Sequence, residues 1–442
     1  MQRGQWARIL LLLGAGVIGQ RGWGSAAETN SPASREILSL AQAKEIAFRR
    51  NWDLLAAKSG NDSATAQLIV TRQFPNPTLA LSTARIGSYA SATAMGNGLW
   101  QRNYDSIAAV SQLIEIAGKR RDRQLAGRAG LVGAKARFYD AKRTLDQGVT
   151  KAYLAALLAA ENARVLNESA EFARQEARIA QQRYAAGDLS DADKATLEIN
   201  AEQFELQAKT ADAAAVQARI AVEVLMGVHQ AKGNWTAAEA LPQLITKTDL
   251  PAPPNTPEAA RPDVLAAEAD LRASKAQLQL QKATRIPDPT FMMGAEHNPP
   301  GGGPPADTVL VGISLPLPLW NRNGGDISAA QAAVAQSEDA LGKIKTQAMA
   351  DLANAESAYH EARERWLRYQ DETAPKSSKV RESMAYKYKK GAASLVDLLN
   401  AEQTDNTIRL ALAQAMNDTA STAADLTAAR TVLTETELNL RK

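Results

Sequence analysis

The chain has 442 residues, 51 Lys and Arg against 48 Asp and Glu, three histidines and no cysteine. Without cysteine there is neither a disulfide framework nor a thiolate metal site. Aromatic residues make up only 5% and alanine is abundant, a composition suited to close helix packing rather than to a large aromatic core.

At the start, Arg3 and Arg8 flank the apolar run Ile9–Ile18, and Ser25-Ala26-Ala27 supplies small residues. Residues 1–27 therefore read as a secretory signal, with a mature start near Glu28. The run is well short of the ~20 residues of a spanning helix, and no cysteine follows to carry a lipid. The segment holds Arg3, Arg8 and Arg21 and no acid, so removing it takes the formal charge of +3 to neutrality. The basic balance thus gives no support to nucleic-acid binding. No later segment reads as a transmembrane helix. The chain is then either soluble outside the cytoplasm or crosses a membrane as β-strands.

The rest of the chain is written twice. "NWDLLAAKS" at Asn51 matches "RPDVLAAEA" at Arg261, and "FPNPTLAL" at Phe74 matches "IPDPTFMM" at Ile286. "SQLIEIAGKR" at Ser111 faces "SLPLPLWNRN" at Ser314, and "YAAGDLSDAD" at Tyr184 recurs as "YKKGAASLVD" at Tyr388. Four matches in one order, about 200 residues apart, indicate a duplicated domain. The expected organisation is a first repeat over 28–228, an inter-repeat linker or equatorial segment over 229–257, and a second repeat over 258–442. The stretch "LPAPPNTPEAARP" gives that linker an extended character.

Each repeat opens with a helical stretch, Leu38–Gln73 and Glu258–Arg285, stopped by Pro75/Pro77 and Pro287/Pro289. Two extended segments follow in each, separated by "GSYASATAMGNG" or "NPPGGGPPA". In the fourth segment Val309, Val311, Ile313, Leu315 and Leu317 share one face while Thr308, Gly312 and Ser314 share the other, as in a strand facing lipid on one side. The second segment puts Tyr104, Ala108, Val110, Ile114 and Ile116 on one side. Trp100, Tyr104 and Trp320 near the segment ends favour a membrane over a soluble sheet edge. A very long helix then runs from Gly118 to Ala186, with Leu158, Val165, Phe172 and Ile179 at heptad spacing. Its second copy carries Pro375, where a kink is expected.

The repeated stretch Y-x-x-G-x-x-S-x-x-D reads first as a tight helix–helix turn. Gly187 and Gly391 suit the left-handed residue that ends a helix, and Ser190 and Ser394 suit the next N-cap, with Asp193 and Asp397 completing capping boxes. Caps explain Tyr184 and Tyr388 less well. The two tips differ in charge: Asp188, Asp191 and Asp193 on the first, Lys387, Lys389 and Lys390 on the second. Opposite signs on matched tips suggest that they meet.

Other patterns carry no chemistry. Gly14–Gly19 spells G-x-G-x-x-G inside the signal, where no strand precedes it. His360-Glu361 begins like H-E-x-x-H, but position 364 is Glu. Gly301–Gly303 lie between prolines with no following lysine. "GKRRDR" at Gly118 is expected to meet lipid head groups or a neighbouring subunit. No nucleophile–base pair, cofactor site or metal site is visible, and no enzyme is expected.

Taken together, the doubled layout, "SQLIEIAGKRRDR", "ISLPLPLWNRNGGDI" and the two tips resemble the TolC-type outer membrane efflux proteins. The wording "GKR" and "PLPLWNRN" is nearest the branch serving heavy-metal pumps of the resistance-nodulation-division type. The resemblance covers about residues 36–435. It implies a mainly α fold with a small β part: a duplicated long-helix coiled-coil tunnel plus four β-strands per subunit, contributing to a shared trimeric twelve-stranded barrel. The implied partners are two further copies, a periplasmic adaptor, an inner-membrane pump and outer membrane lipid, with no nucleic acid. It places Asp193 and Tyr388 where relatives link neighbouring helix pairs and Asp397 where they have a lumen-facing acidic constriction. Relatives carry arginine two residues after the second glycine, whereas this chain has Ala393. The residues themselves agree on one point, because four strands cannot close a barrel and an open edge cannot face lipid. Exit ducts for drugs or secreted proteins, and a soluble periplasmic coiled-coil adaptor, are the competing readings.

Overall fold

The computed structural model describes residues 36–84, 105–247, 260–297, 307–433 and 438. The signal, both inter-strand loops, residues 250–259 of the proline-rich stretch, Trp100 and Tyr104 lie outside them. In chain order the elements are β1 (Glu36–Leu38), α1 (Leu40–Arg50), α2 (Trp52–Arg72), β2 (Thr78–Ala84), β3 (Asp105–Leu113), α3 (Lys119–Ala185) and α4 (Asp191–Leu225). Then come β4 (Trp235–Ala237), α5 (Leu241–Lys247), α6 (Pro262–Thr284), β5 (Thr290–His297), β6 (Asp307–Ser314) and α7 (Gly324–Arg368). A five-residue π-helical turn, Tyr369–Thr373, joins α7 to α8 (Ala374–Lys389), and α9 (Leu395–Arg430) completes the series. Helix, hairpin and long helical pair thus occur twice. Among the described residues no helix is long and apolar enough to cross a membrane.

The first helical stretch is broken where an unbroken helix is expected. Asn51 sits at φ −63°, ψ 129°, accepts from the Leu54 amide and donates to the Leu225 carbonyl at 3.0 Å. Its side chain caps α2 and at the same time ties the break to the end of α4. The expected linker is also partly folded: β4 pairs in parallel with β1, and α5 follows. Here Trp235 stacks on Tyr153 at 5.6 Å, and the Tyr153 hydroxyl lies 2.8 Å from the Leu38 carbonyl oxygen and 2.7 Å from Glu239. This is the main core, where α1, α3 and α9 also contribute Ala43, Val149 and Ala420. Burial, followed by the Glu239 carboxylate, pushes the Tyr153 phenol well above its ordinary pKa of 10, so it serves as a neutral donor.

The heptad seam expected on α3 is not the one the fold uses. Val165 is buried, but Leu158 and Phe172 are half-buried and Ile179 is exposed. The contact with α4 runs instead along Ala163, Ala170 and Ala173 against Ala201, Phe204, Ala208, Ala211 and Ala215. A second stripe of α3, carrying Ser169, faces α9. Over its distal half α3 faces α4 on one side and α9 on another, which needs two stripes, and methyl-sized side chains let helices approach closely. Pro375 lacks the amide that would bond to the Asp371 carbonyl, and the π-helical turn directly before it accommodates the defect.

The helix-to-strand junctions carry the "GKRRDR" cluster. Contrary to expectation, most of it binds within the chain. Lys119 Nζ lies 2.8 Å from Asp288 Oδ1, and the same carboxylate oxygen accepts from the Ile116 amide at 2.9 Å. Arg123 pairs with Glu115, and Arg120 donates to the Arg72 carbonyl and covers the Phe74 ring at 3.8 Å. The two repeats are thereby fastened where strands become helices. The Lys119 and Asp288 side chains are only 8% and 17% exposed, so removing one partner strands a buried charge and costs about 3–5 kcal/mol. Asp288→Asn should clearly lower the melting temperature of the purified protein by circular dichroism. The double variant Lys119→Met/Asp288→Leu should recover part of that loss, and equal melting of all three would refute the junction's role.

Candidate functional site: a half-apolar sheet and two helical tips

The two hairpins join into one antiparallel sheet of order β2-β3-β5-β6. The junction is β3 against β5, which pair over eight positions from Ser106↔His297 to Leu113↔Thr290. Opposed residues share a face, so the register aligns rows across all four strands. One row is Leu79–Val110–Met293–Val311 and the next is Leu81–Ala108–Ala295–Val309; Gln112–Phe291–Ile313 follows on three strands. Leu79, Leu81, Met293, Val309, Val311 and Ile313 are all strongly exposed, Val311 at 79%. The opposite face presents Thr78–Ser111–Met292–Gly312, Ala80–Ala109–Gly294–Leu310 and Ser82–Ile107–Glu296–Thr308, which are smaller and more polar. A Cβ on Gly294 would come within 2.5 Å of the Ala108 carbonyl oxygen, so the sheet is pressed together on this inner face and only glycine fits.

Leu315 and Leu317 do not belong to β6, which ends at Ser314. Pro316 and Pro318 carry no amide to extend the ladder, although both leucines remain exposed. Ile114 and Ile116 likewise lie beyond β3, with their amides bonded to Pro289 and Asp288.

At the far end of the long helices the repeated motif forms two near-identical turns. Gly187 has φ +83° and Gly391 φ +72°, the left-handed conformation that glycine adopts at no steric cost. Each closes a double bond pattern: the Gly187 and Asp188 amides donate to Tyr184 and Arg183, and the Gly391 and Ala392 amides donate to Tyr388 and Lys387. Ser190 and Ser394 cap the following helices. Only the second turn has a full capping box, in which Asp397 accepts from the Ser394 amide at 3.1 Å and its hydroxyl at 2.7 Å. Those bonds hold the Asp397 carboxyl below its ordinary pKa, so it is ionised at neutral pH. Asp193 donates its amide to Ser190 but returns no side-chain bond, which leaves its carboxylate available.

The tyrosines have partners that the motif did not announce. Arg183 lies 5.9 Å over the Tyr388 ring, joining the two tips, and Lys194 lies 4.8 Å over Tyr184. Burial raises the Tyr388 pKa against the pull of Arg183, and Glu176 and Asp193 raise it further, so the phenol stays protonated as a donor. Within one chain, no described ion pair joins Lys387, Lys389 or Lys390 to Asp188 or Asp191; Lys390 instead lies 5.9 Å from the Tyr386 ring. The charge pairing expected from the sequence is therefore not formed inside a subunit. Arg183 and Lys194 directly abut the motif and were legible only as flanking charges.

Losing a serine cap costs about 1 kcal/mol. Because the second turn loses a full box, Ser394→Ala should speed amide hydrogen exchange at Val396–Leu398 more than Ser190→Ala does at Ala192–Lys194. Equal acceleration at the two tips would count against this difference.

The chain matches the family model described as outer membrane efflux protein over residues 45–228 and 254–430. It is 24% identical over 371 residues to the cobalt-zinc-cadmium resistance protein CzcC of Cupriavidus metallidurans, covering 83% of this chain and 84% of that protein. It is 27% identical over 395 residues to protein CyaE of Bordetella pertussis, covering 82% and 81%. Among solved structures, the Campylobacter jejuni CmeC outer membrane channel superposes with a TM-score of 0.74 at 18% identity, over 88% of this chain and 85% of that one.

Proposed function

The chain belongs to the outer membrane efflux protein family, and from that premise we propose that it is the passive exit duct of a tripartite pump, working as a homotrimer and passing heavy-metal cations. The observation that carries this reading is the sheet register. A continuous apolar face on four strands, smaller and more polar on its reverse, is the pattern of a barrel wall between lipid and lumen. The chain resides in the outer membrane, with its helical part in the periplasm.

Several features support three copies. Among the described residues β2 and β6 each have an unpaired edge, which lipid cannot satisfy. Twelve strands from three chains would pair every edge. Helix α7 has 45 residues, of which only Ala362 is buried; neighbouring subunits would cover it. The metal cargo rests on the likeness to the cobalt-zinc-cadmium resistance protein. An adaptor and an inner-membrane pump supply the energy and the selection, and the duct itself performs no chemistry.

A charge on a barrel's lipid face costs about 2–4 kcal/mol near the midplane. Val311→Lys should therefore reduce the amount of assembled trimer in membrane extracts, whereas Thr308→Lys, on the inner face, should be tolerated. Equal trimer yields would overturn the orientation.

The tips then act as the gate. The protonated Tyr388 phenol and the uncommitted Asp193 carboxylate suit a hydrogen bond between neighbouring helix pairs, with tip lysines facing tip aspartates across subunits. Exposed pairs contribute only ~0–1 kcal/mol each and are screened by salt, so closure is reversible. Asp193→Ala combined with Tyr388→Phe should raise single-channel conductance in planar bilayers, and added salt should narrow the difference after correction for bulk conductivity. Unchanged conductance would return the motif to a purely structural turn.

A further inference from the structure

Above the tips, the seam between the two helical hairpins of one chain is polar. Ser169 on α3 donates to Asn406 on α9 at 2.5 Å, and Arg409 reaches Glu168 at 2.6 Å. Asp405, 1% exposed, accepts from Ser377 at 2.8 Å and Ser378 at 3.1 Å and lies 3.1 Å from Arg381 Nε. In this upper part Glu168 and Asp405 each have a cationic partner.

Nearer the tips the matching fails. Glu176 on α3 is 8% exposed and Glu402 on α9 is 5% exposed. Among the described residues neither carboxyl has an ion pair or a hydrogen bond, and Glu402 Oε1 is buried without a partner. Glu402 borders a cleft of about 500 Å3 between α3, α8 and α9, closed on one side by Phe172 and Phe204. The cations near the pair are already engaged or distant. Arg381 is held by Asp405 and lies 5.8 Å over the Phe172 ring, and Lys389 acts on Glu176 only through space. From α4, Glu205 is paired with Arg174. The remaining charged groups on the cleft are Glu168, Glu171, Glu382 and Arg409. Among the described residues no group of three or more His, Cys, Asp and Glu side chains could hold a metal ion. Two buried carboxyls without a cation cannot both be ionised at low cost, and the smallest species that resolves the conflict is a proton.

We propose that Glu176 and Glu402 form a proton-binding site that locks the seam between the two hairpins, and that deprotonation releases the tips. The lock is a property of this chain's packing; its role in opening rests on the duct reading. Burial, and then the neighbouring Glu176, raise the Glu402 pKa from 4.5 to about 8, with Arg381 opposing. Glu176 is raised by burial, with Lys389 opposing. A carboxyl that is more basic in the closed seam than in water favours closure at low pH, and that advantage is lost as pH rises from about 4.5 towards about 8.

The cysteine-free sequence allows clean labelling. Spin labels on Gln182→Cys of α3 and Tyr386→Cys of α8, in the full-length purified protein, report the seam by pulsed electron paramagnetic resonance between pH 5 and 9. For a one-proton linkage the ratio of long to short distances should rise by up to about tenfold per pH unit within the window. Glu402→Gln, which mimics the protonated carboxyl, should hold the short distance at every pH. Glu176→Gln removes the facing charge and should move the transition to lower pH while leaving it present. A pH-independent distance in the unsubstituted background, or an unaltered transition in Glu402→Gln, would overturn the lock. Bilayer conductance over the same pH range separates the two readings: a seam that moves in a protein passing no current supports the lock and counts against the duct.

Discussion

Backbone hydrogen bonding in lipid is the constraint from which the rest of this structure follows. The sheet of β2, β3, β5 and β6 satisfies its inner ladder and leaves a free edge on each side. Water could solvate such an edge, but hydrocarbon cannot. A chain that places the face of Leu79, Val110, Met293 and Val311 in lipid must have both edges paired. Duplication follows naturally from this need. Each repeat supplies one hairpin, and the β3–β5 pairing joins them within the chain.

The helical part obeys a different rule. With few aromatic and many alanine residues, its long helices approach closely and rely on small contacts repeated over great length. At 1.5 Å per residue α3 spans roughly 100 Å. It holds α4 through alanines and α9 through a mixed polar seam, so no single heptad stripe describes it. Firm attachments are concentrated elsewhere: at the junctions, where Lys119 meets Asp288, and in the core around Tyr153 and Trp235. Stability anchored there leaves the distal tips held by caps, cation–ring contacts and exposed charges.

Polar groups in the distal seam fit the same division. Where a seam need only be permanent, apolar contacts suffice, as between Ala173 and Phe204. Where Ser169, Asn406, Asp405, Glu176 and Glu402 lie between helices, separation exposes groups that water solvates well. The energetic difference between the joined and parted states is correspondingly smaller, and it becomes sensitive to charge.

The order of residues alone reveals the duplication, the helix stops at Pro75/Pro77 and Pro287/Pro289, the alternating face of β6 from Val309 to Ile313, and the glycine–serine turns at both tips. These are local properties: φ restriction, side-chain periodicity and capping are written within a few residues of where they act. Tertiary structure decided what depends on distant neighbours. The Asn51 break requires the carbonyl of Leu225, and the alanine seam of α3 required knowing that α4 and α9 meet its distal half on different sides. "GKRRDR" looked like an outward basic patch until Asp288 and Glu115 were placed beside it. Arg183 gained meaning only when Tyr388 was brought over it, and Glu176 and Glu402, each an ordinary helical glutamate in the sequence, became a buried unpartnered pair only through packing of α3 against α9. Burial and charge neighbourhood are properties of the assembled volume, and no window of sequence contains them.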